Sequence, residues 1–379
     1  MKSLDKSDRL KLLLVSTSYP ADEKDWRGTF TANLIKALSN NNTIDLRVWV
    51  PPGKLPSKTR NISTASEADW LDRLMKQGGI AHMLRTKGPF AVITIIRLLL
   101  SLRNMYHREH NNDVAHIHWL QNAIPLWSSS IPAVISVLGS DFRLLKLPGM
   151  TSLLRLVINQ RACIITPNAD WMAPALKKSF GDIAEIRPVP FGVDKKWFSI
   201  KRRPQKDETL KWLAVTRLTE KKLGPLFSWG KYLFEKNHEL HLFGPMQETL
   251  SIPEWVDYRG PVSPNELMNK WFPLCSGLIT LSQHDEGRPQ VMLEAMAAGL
   301  PIIASDIPAH LDIVKHGING WIVSDPQDFK NAISFFNTHE AVRRAGESAR
   351  SWALKNIGTW DDCARRYITA YHDLLRRNR

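Results

Sequence analysis

Apolar residues in this chain fall into short continuous runs, each followed by a polar loop and a segment of helix-forming residues. The runs at residues 10–16 and 277–281 are uninterrupted rather than alternating, which is typical of strands buried on both faces of a parallel sheet. Because strands and helices alternate in both halves of the chain, the pattern predicts α/β units with mostly parallel sheets. Further strands are predicted at residues 45–50, 114–118, 134–138, 164–167, 210–216, 240–243 and 301–304. Helices are predicted at residues 29–38, 170–180, 264–271 and 290–298.

One stretch, residues 282–305 (SQHDEGRPQVMLEAMAAGLPIIAS), adds candidate chemistry to the strand, loop, helix, strand pattern. Glu286 and Gly287 lie in its polar loop, and Pro289 suits the first turn of the helix that follows. The free N–H groups and positive dipole end of such a helix attract anions. Helical side chains lean toward the N-terminus, so Glu294 is expected to face the same site as Glu286. Two carboxylates beside this helix end suit a ligand with phosphate and hydroxyl groups, such as a nucleotide sugar; the alternative is an ordinary crossover helix with a surface glutamate.

The run EGRPQVMLEAMAAGLPIIAS closely resembles the signature of retaining glycosyltransferase family 4 (glycosyl transferases group 1), in its paired Glu286 and Glu294 and its Glu-Ala-Met-Ala helix. The resemblance implies the GT-B fold, in which two Rossmann-like domains with mostly parallel sheets face each other across a cleft. We expect residues 1–193 to be the acceptor-binding domain and residues 194–360 the nucleotide-sugar-binding domain. Residues 361–379 are expected to form a helix that packs back toward the first domain.

The resemblance also supplies the predicted donor site. Arg217 and Lys222 lie five positions apart after the predicted strand 210–216, where the family has Arg, four residues and Lys. Two fixed cations at such a turn suit a diphosphate, although by pattern alone an exposed polar loop is the simpler interpretation. By analogy Glu294 holds the ribose hydroxyls and Glu286 the sugar hydroxyls. The other predicted donor-binding residues are Gly28, Gly244, Val262, Gly287, Arg288, Gln290 and Val291.

Two predicted strand ends resemble the acceptor-side loops of the family. His118 and Trp119 follow one of them and are candidate acceptor-side residues, although a histidine at a strand end is also commonly structural. Asp141 follows the other and is expected to bind an acceptor hydroxyl or to act as a base. Many members have a histidine directly before the glycine of Gly-x-Asp, where this chain has Leu138. That histidine's contact with the donor sugar is therefore not carried over.

Charge changes the picture for the first half of the chain. The net charge is +14, and residues 1–193 hold 25 Lys and Arg against 15 Asp and Glu, whereas the remainder holds 26 against 22. The segment 85–108 joins a long apolar run to several basic residues, which predicts either an amphipathic helix on an anionic membrane surface or a buried crossover helix. We expect no nucleic-acid partner, because the sequence shows no helix-turn-helix, zinc-finger or RNA-binding strand motif.

Length and cysteine usage set further bounds. The 379 residues suit two domains of ordinary size. The three scattered cysteines show no spacing for a disulfide framework or zinc site and fit a reducing compartment. No segment resembles a signal peptide, so we expect a cytoplasmic protein that is either soluble or peripheral on the cytoplasmic face of the membrane.

The resemblance, together with these bounds, implies a retaining, metal-independent glycosyltransferase. The donor is expected to be a UDP- or GDP-sugar, and the acceptor is expected to be a glycan or a lipid-linked molecule of cell-envelope polysaccharide or lipopolysaccharide synthesis. No cofactor is expected, and no metal site is expected because the chain has no Asp-x-Asp sequence. Two alternatives stay open: a GT-B sugar-nucleotide isomerase or epimerase, and a non-catalytic protein that binds membrane surfaces or nucleic acid.

Overall fold

The computed structural model describes residues 9–22, 25–79, 91–203, 209–234 and 237–377. By internal packing the described chain divides into two units. The first unit takes the residues up to Phe191 together with those from Trp360 onward, and the second unit is Gly192–Thr359. The sequence therefore leaves the first unit once and returns to it with its last helix.

The first unit contains a seven-stranded sheet in the order β3-β2-β1-β4-β5-β6-β7, and all of its described strand pairs are parallel. The apolar residues of β1 are buried on both faces of the sheet: Leu13 packs into the core on one face, whereas Leu12 and Leu14 pack into the core on the other. Burying each leucine contributes roughly 1.5–3 kcal/mol. The strands are β1 (Leu10–Val15), β2 (Ile44–Trp49), β3 (Thr59–Asn61), β4 (Val114–His118), β5 (Ala133–Val137), β6 (Cys163–Pro167) and β7 (Glu185–Ile186).

Helices cover both faces of the first sheet. The last helix, α16 (Trp360–Arg377), packs on the sheet through hydrogen bonds as well as apolar contacts. The Tyr367 hydroxyl lies 2.8 Å from Ser136 Oγ, and the Tyr371 hydroxyl lies 2.7 Å from His116 Nδ1. The other α-helices of the unit are α1 (Thr29–Ser39), α2 (Ala65–Lys76), α3 (Ala91–Arg108), α4 (Leu120–Ala123), α5 (Met150–Ile158) and α6 (Ala173–Phe180).

The second unit contains a six-stranded sheet in the order β10-β9-β8-β11-β12-β13, also parallel in all its described pairs. Its strands are β8 (Leu210–Val215), β9 (His238–Phe243), β10 (Val256–Tyr258), β11 (Gly277–Thr280), β12 (Ile302–Ser305) and β13 (Gly320–Val323). Its α-helices are α7 (Lys195–Phe198), α8 (Glu220–Leu223), α9 (Leu226–Gly230), α10 (Pro264–Glu266), α11 (Phe272–Leu274), α12 (Gln290–Ala297), α13 (Pro308–Leu311), α14 (Pro326–Phe335) and α15 (His339–Asn356).

Two arginines hold the C-terminal end of α12, the helix that follows the glutamate loop. Arg202 donates to the Gly299 carbonyl at 2.7 Å, and Arg350 donates to the Ala298 carbonyl at 2.9 Å. These carbonyls lie just beyond the last helical turn, where backbone acceptors lack helical partners and cations are favoured by the helix dipole. The two guanidinium groups thus fix the C-terminal end of α12, while its N-terminal end follows directly on the loop that carries Glu286.

The structure differs from the predicted elements at a few places. Strands β3 and β7 were not predicted, because each is a two- or three-residue sheet edge without an apolar run. The predicted helix 264–271 is split: its second part, Leu267–Trp271, is π-helical. Pro289 caps α12 in an extended conformation, with ψ 117°, rather than occupying its first turn.

The long basic helix begins at Ala91, so residues 85–90 of the predicted segment lie outside the described residues. Across the part of the chain that the structure describes, no helix combines the length and apolarity needed to cross a membrane.

Candidate functional site

A buried ion pair joins two loops at the carboxyl ends of neighbouring strands in the second unit. Lys222, on the short helix after β8, places its Nζ 2.6 Å from Oε1 of Glu286, in the loop after β11. The two side chains are only 13% and 15% exposed. Ser282 Oγ donates to the same Glu286 oxygen at 3.0 Å. The structure therefore brings together two residues for which the sequence predicted separate tasks.

Backbone contacts hold these two loops in register. The Gln283 N–H donates to the Lys221 carbonyl at 2.8 Å. Gly224 has φ +53°, and a Cβ at this position would lie 2.0 Å from the Leu281 carbonyl oxygen. Only glycine combines this conformation with so close an approach. Backbone contacts between the two loops, and not the ion pair alone, thus place Lys222 opposite Glu286.

Burial and charge act in opposite directions on this pair. Burial lowers the pKa of Lys222, and the neighbouring Arg217 adds to that effect, while Glu286 opposes it. Burial also disfavours the charged form of Glu286, but the charge and hydrogen bond of Lys222 outweigh this and leave the pKa of Glu286 below its ordinary value. The lowered pKa keeps Glu286 charged at neutral pH, and Lys222 and Glu286 serve as counter-ions of each other.

Glu294, on α12, has a different environment from Glu286. Within the described residues its carboxyl group makes no hydrogen bond or ion pair. Burial, and after it the charge of Asp194, raises the pKa of Glu294 to about 8. Asp194 itself caps α7 by accepting the Lys196 N–H at 2.9 Å. Glu294 is therefore mostly protonated at pH 7 and presents both a donor and an acceptor to a ligand.

Arg217 lies at the end of β8 and is partly exposed, with Nη1 3.5 Å from Oε1 of Gln247. At the neighbouring end of β9, Gly244 has φ +138°, and a Cβ there would lie only 1.6 Å from the Thr216 carbonyl oxygen. The Gly244 N–H donates to the Gly260 carbonyl at 2.9 Å, which joins this end to the loop after β10. Gly244 is thus required by close backbone packing beside Arg217.

The other predicted donor-binding residues of the second unit contact the protein itself, through an ion pair, a hydrogen bond or apolar packing. Arg288 pairs with Asp312 through Nε at 3.1 Å, and both side chains are almost fully buried. Gln290 donates to the Gly192 carbonyl at 2.9 Å, and Val291 and Val262 pack partly buried against the core. Gly287, next to Arg288, is buried. The predicted contact between donor and backbone N–H groups at Gly287 and Arg288 stays a prediction.

The predicted residues of the first unit gather at the carboxyl edge of its sheet. Gly28 has φ +71° before α1, and a Cβ there would lie 2.6 Å from the Ser18 carbonyl carbon. His118, the last residue of β4, is fully buried, and its Nδ1 lies 3.3 Å from Thr31 Oγ1. Burial lowers the pKa of His118 to about 3, so the ring is neutral. Trp119 follows with φ +69°, an unusual backbone conformation for a bulky residue.

Asp141 binds backbone rather than facing solvent. Its two carboxyl oxygens accept N–H groups from Leu120 at 3.1 Å, Leu138 at 2.9 Å and Gly139 at 3.0 Å. Burial raises the pKa of Asp141 to about 6, although these backbone donors favour the charged form. Because its oxygens are engaged in this way, the geometry makes Asp141 a residue that shapes two loops. Its predicted contact with an acceptor remains untested.

Sequence reasoning missed a histidine beside the ion pair. His310, on α13, is fully buried, and its ring interacts electrostatically with both Glu286 and Lys222. Its Nδ1 lies 3.1 Å from Oγ of Ser305, the last residue of β12. A strand end followed five residues later by a histidine was the available signal, but such spacing alone specifies no contact.

A cavity of about 400 Å³ lies beside α8, with Leu223, Phe227 and Gln283 in its wall. Its lining includes neither Lys222 nor Glu286. We therefore assign it no part in the site built around the ion pair.

The two parallel sheets with their flanking helices define a GT-B protein. Sucrose-phosphate synthase from Thermosynechococcus elongatus has the same fold, with a TM-score of 0.70 at 15% identity over 97% of this chain and 99% of that one. Anabaena HepE in complex with UDP and glucose gives a TM-score of 0.65 at 13% identity over 96% of this chain and all of the other. The predicted fold class is confirmed.

Residues 214–337 match the family described as Glycosyl transferases group 1. The amylovoran biosynthesis glycosyltransferase AmsK of Erwinia amylovora is 25% identical over 158 residues, which cover 37% of this chain and 39% of the relative. The chain thus aligns with little more than a third of the length of such curated relatives. The predicted resemblance is confirmed at the level of group 1, while the assignment to retaining family 4 stays a prediction.

Proposed function

We propose that the protein is a retaining glycosyltransferase that moves a sugar from a nucleotide diphosphate sugar to a hydroxyl group of a glycan or lipid-linked acceptor. The observation that carries the proposal is the buried Lys222–Glu286 pair, which lies at the carboxyl ends of β8 and β11 within the family-matched residues. Ligands of parallel α/β sheets bind at the carboxyl ends of strands. An ion pair buried there provides both a cation for phosphate and a carboxylate for hydroxyl groups.

In the proposed reaction the protein stabilises the diphosphate as it leaves. Arg217 and Lys222 supply two positive charges, and the N-terminal end of α12, which no described side chain caps, supplies backbone N–H groups. Glu286 accepts hydrogen bonds from the sugar hydroxyls. Glu294, whose carboxyl makes no hydrogen bond or ion pair within the described residues, binds the ribose hydroxyls. The charged Glu286 thus binds the sugar part of the donor, and the protonated Glu294 binds its ribose part.

The transfer step needs no covalent intermediate with the protein. The bond between the sugar anomeric carbon and the diphosphate oxygen breaks, and a bond to the acceptor oxygen forms on the same face of the sugar. The acceptor's proton passes to the departing phosphate oxygen. Retention of configuration follows from attack on that face, and the cations offset the negative charge that develops on the diphosphate.

Thermal unfolding with a panel of UDP, GDP, ADP and their sugars tests the donor part of the proposal. A ligand present at 100 times its Kd stabilises the folded state by about 2.7 kcal/mol, which raises Tm by several degrees. We expect a UDP or GDP compound to do so, and no shift with any compound would contradict the proposal. Conversion of the donor without any acceptor would instead indicate a sugar-nucleotide isomerase.

We further propose that the acceptor is reached at an anionic membrane surface, on which α3 of the first unit docks. One face of α3 is in the core, through Leu98 and Leu102, while Ile93 is 69% exposed and Ile96 is 52% exposed on the other. Exposed Arg103 follows on the same helix. An apolar face of this kind with neighbouring cations has the chemistry that anionic bilayers bind.

Co-sedimentation with phosphatidylglycerol vesicles checks this surface. The double variant Ile93→Glu with Ile96→Glu should lower the bound fraction about 10-fold or more, because two exposed apolar side chains are replaced by anions. Leu354→Glu is the matched control, since Leu354 is 60% exposed on α15 of the second unit. Equal binding of the double variant and the control would overturn the proposed docking surface.

A further inference from the structure

A chain of hydrogen bonds runs behind the Lys222–Glu286 pair. Ser282 Oγ donates to Glu286, and the Ser282 carbonyl accepts the Ser305 hydroxyl at 2.6 Å. Ser305 in turn meets His310, whose Nδ1 lies 3.1 Å from Ser305 Oγ and 3.0 Å from the Ser305 carbonyl oxygen. The loop that carries Glu286 is thereby tied to the end of β12 and to α13.

These contacts determine which ring nitrogen of His310 carries the proton. The Ser305 hydroxyl hydrogen is already given to the Ser282 carbonyl. Toward His310, both Ser305 oxygens can therefore act only as acceptors. Nδ1 must be the N–H donor, and in the neutral ring Nε2 is left as a bare acceptor.

His310 Nε2 has no hydrogen-bond partner within the described residues, although it is buried. A buried polar atom without a hydrogen-bond partner is energetically unfavourable, and its presence here requires an explanation. The charges that act on the ring come from Glu286 in the loop after β11 and Lys222 in α8. Asp312, two residues beyond His310, is engaged by Arg288.

The ion pair has a consequence for ligand binding. When Lys222 turns toward a diphosphate, Glu286 loses its nearest positive charge while remaining largely buried. An unpaired buried carboxylate is strongly unfavourable. Burial holds the pKa of His310 at about 4, with Glu286 raising it and Lys222 lowering it, so displacement of Lys222 favours protonation of the ring.

We propose that His310 is a positioning residue that binds a proton at Nε2 and becomes the counter-ion of Glu286 when Lys222 engages the donor diphosphate. The inference rests on the proposed function and names a regulatory property of the same site. The proton comes from solvent and returns to it when the nucleotide leaves. Donor binding is then linked to proton uptake, with Glu286 kept charged and oriented throughout.

The test is titration calorimetry of the whole chain with UDP, and in parallel with GDP, at pH 6.5 in buffers of different ionisation enthalpy. Such measurements give the number of protons bound with each nucleotide. His310→Asn keeps an N–H donor at the δ position, and His310→Gln places a neutral amide at the ε position. His316→Asn, at a histidine of the turn before β13, is the matched control.

We expect wild type and the His316→Asn control to take up about half a proton more per nucleotide than either His310 variant. Nucleotide affinity should fall on the order of 10-fold in His310→Asn, as expected for loss of one charge-assisted hydrogen bond, and less in His310→Gln. Equal proton uptake in wild type and both His310 variants, with nucleotide still bound, would overturn the role of His310. Absence of binding of either nucleotide to wild type would instead overturn the proposed function on which it rests.

Discussion

The carboxyl edges of the two sheets have different chemistry. At the edge in the second unit, Lys222 and Glu286 form a buried ion pair, and the Glu294 carboxyl makes no hydrogen bond or ion pair within the described residues. At the edge in the first unit, Asp141 is occupied by backbone N–H groups and His118 is neutral and buried. Polar residues after parallel strands thus differ between the units: in the first unit they hold loops together, whereas in the second unit we propose that they bind a ligand.

The largest expected effect is on the ion pair. Lys222→Ala removes the cation proposed for the diphosphate and takes from buried Glu286 its present counter-ion. Transfer activity should fall by about 100- to 1000-fold, the range found when one group that stabilises transition-state charge is removed. The measurement is kcat/KM for donor turnover, with folding checked by circular dichroism.

Lys221→Ala is the matched control for that variant, because Lys221 is the adjacent lysine and its contact with Gln283 is made by its backbone carbonyl. It should retain activity within a few-fold of wild type. If the Lys222→Ala variant were as active as the Lys221→Ala variant, Lys222 would have no part in the proposed reaction. The proposed difference in chemistry between the two sheet edges would then fail.

The next effect concerns stability in the first unit. Asp141→Ala leaves three N–H groups without their acceptor, which should lower the free energy of unfolding by roughly 2–5 kcal/mol. Urea denaturation measures it. Asp72→Ala, at a partly exposed helix pair with Lys76, should change stability by less than about 0.5 kcal/mol. If Asp141→Ala kept wild-type stability but lost transfer activity, Asp141 would act on substrate, as the sequence predicted.

The smallest effect is a pH dependence set by Glu294. Its pKa in the folded protein is about 8, above the ordinary value, so folding favours the protonated form. The stability associated with this group is complete at low pH and is lost as pH rises toward and through 8. Glu294→Gln should therefore match wild type near pH 4 and melt a few degrees higher at pH 9.

Glu254→Gln is the control for that comparison, because Glu254 is exposed in the second unit. Its difference in Tm from wild type should stay small and constant between pH 4 and pH 9. A pH-independent difference for Glu294→Gln would show that Glu294 has an ordinary carboxyl pKa and resembles the exposed carboxylates.

Strand patterns were predictable because both faces of each sheet are buried. Successive residues of β11, such as Leu278 and Ile279, enter different cores, so the sequence shows an unbroken apolar run. The loop and helix after β11 were equally visible, because Gly287 and Gly299 flank a segment of helix formers. Short edge strands such as β7 bury little and leave no such pattern.

Contacts between loops were not predictable in the same way. The sequence singled out Lys222 and Glu286 by residue type and resemblance, but their pairing depends on how β8 and β11 lie side by side. The engagement of Asp141 by three N–H groups depends likewise on two loops meeting. Residue type predicts which groups have useful chemistry, whereas tertiary structure decides whether that chemistry is already satisfied within the protein.

The central claim is that the Lys222–Glu286 pair opens to receive a diphosphate. A crystal structure of the whole chain with UDP or GDP bound tests it most directly, through the distances from Lys222 Nζ to the phosphate oxygens and to Glu286. We predict that Nζ lies within hydrogen-bond distance, about 3 Å, of a phosphate oxygen and that its contact with Glu286 is lengthened or lost. A bound nucleotide whose phosphates lie away from Lys222, with the ion pair unchanged, would contradict the claim.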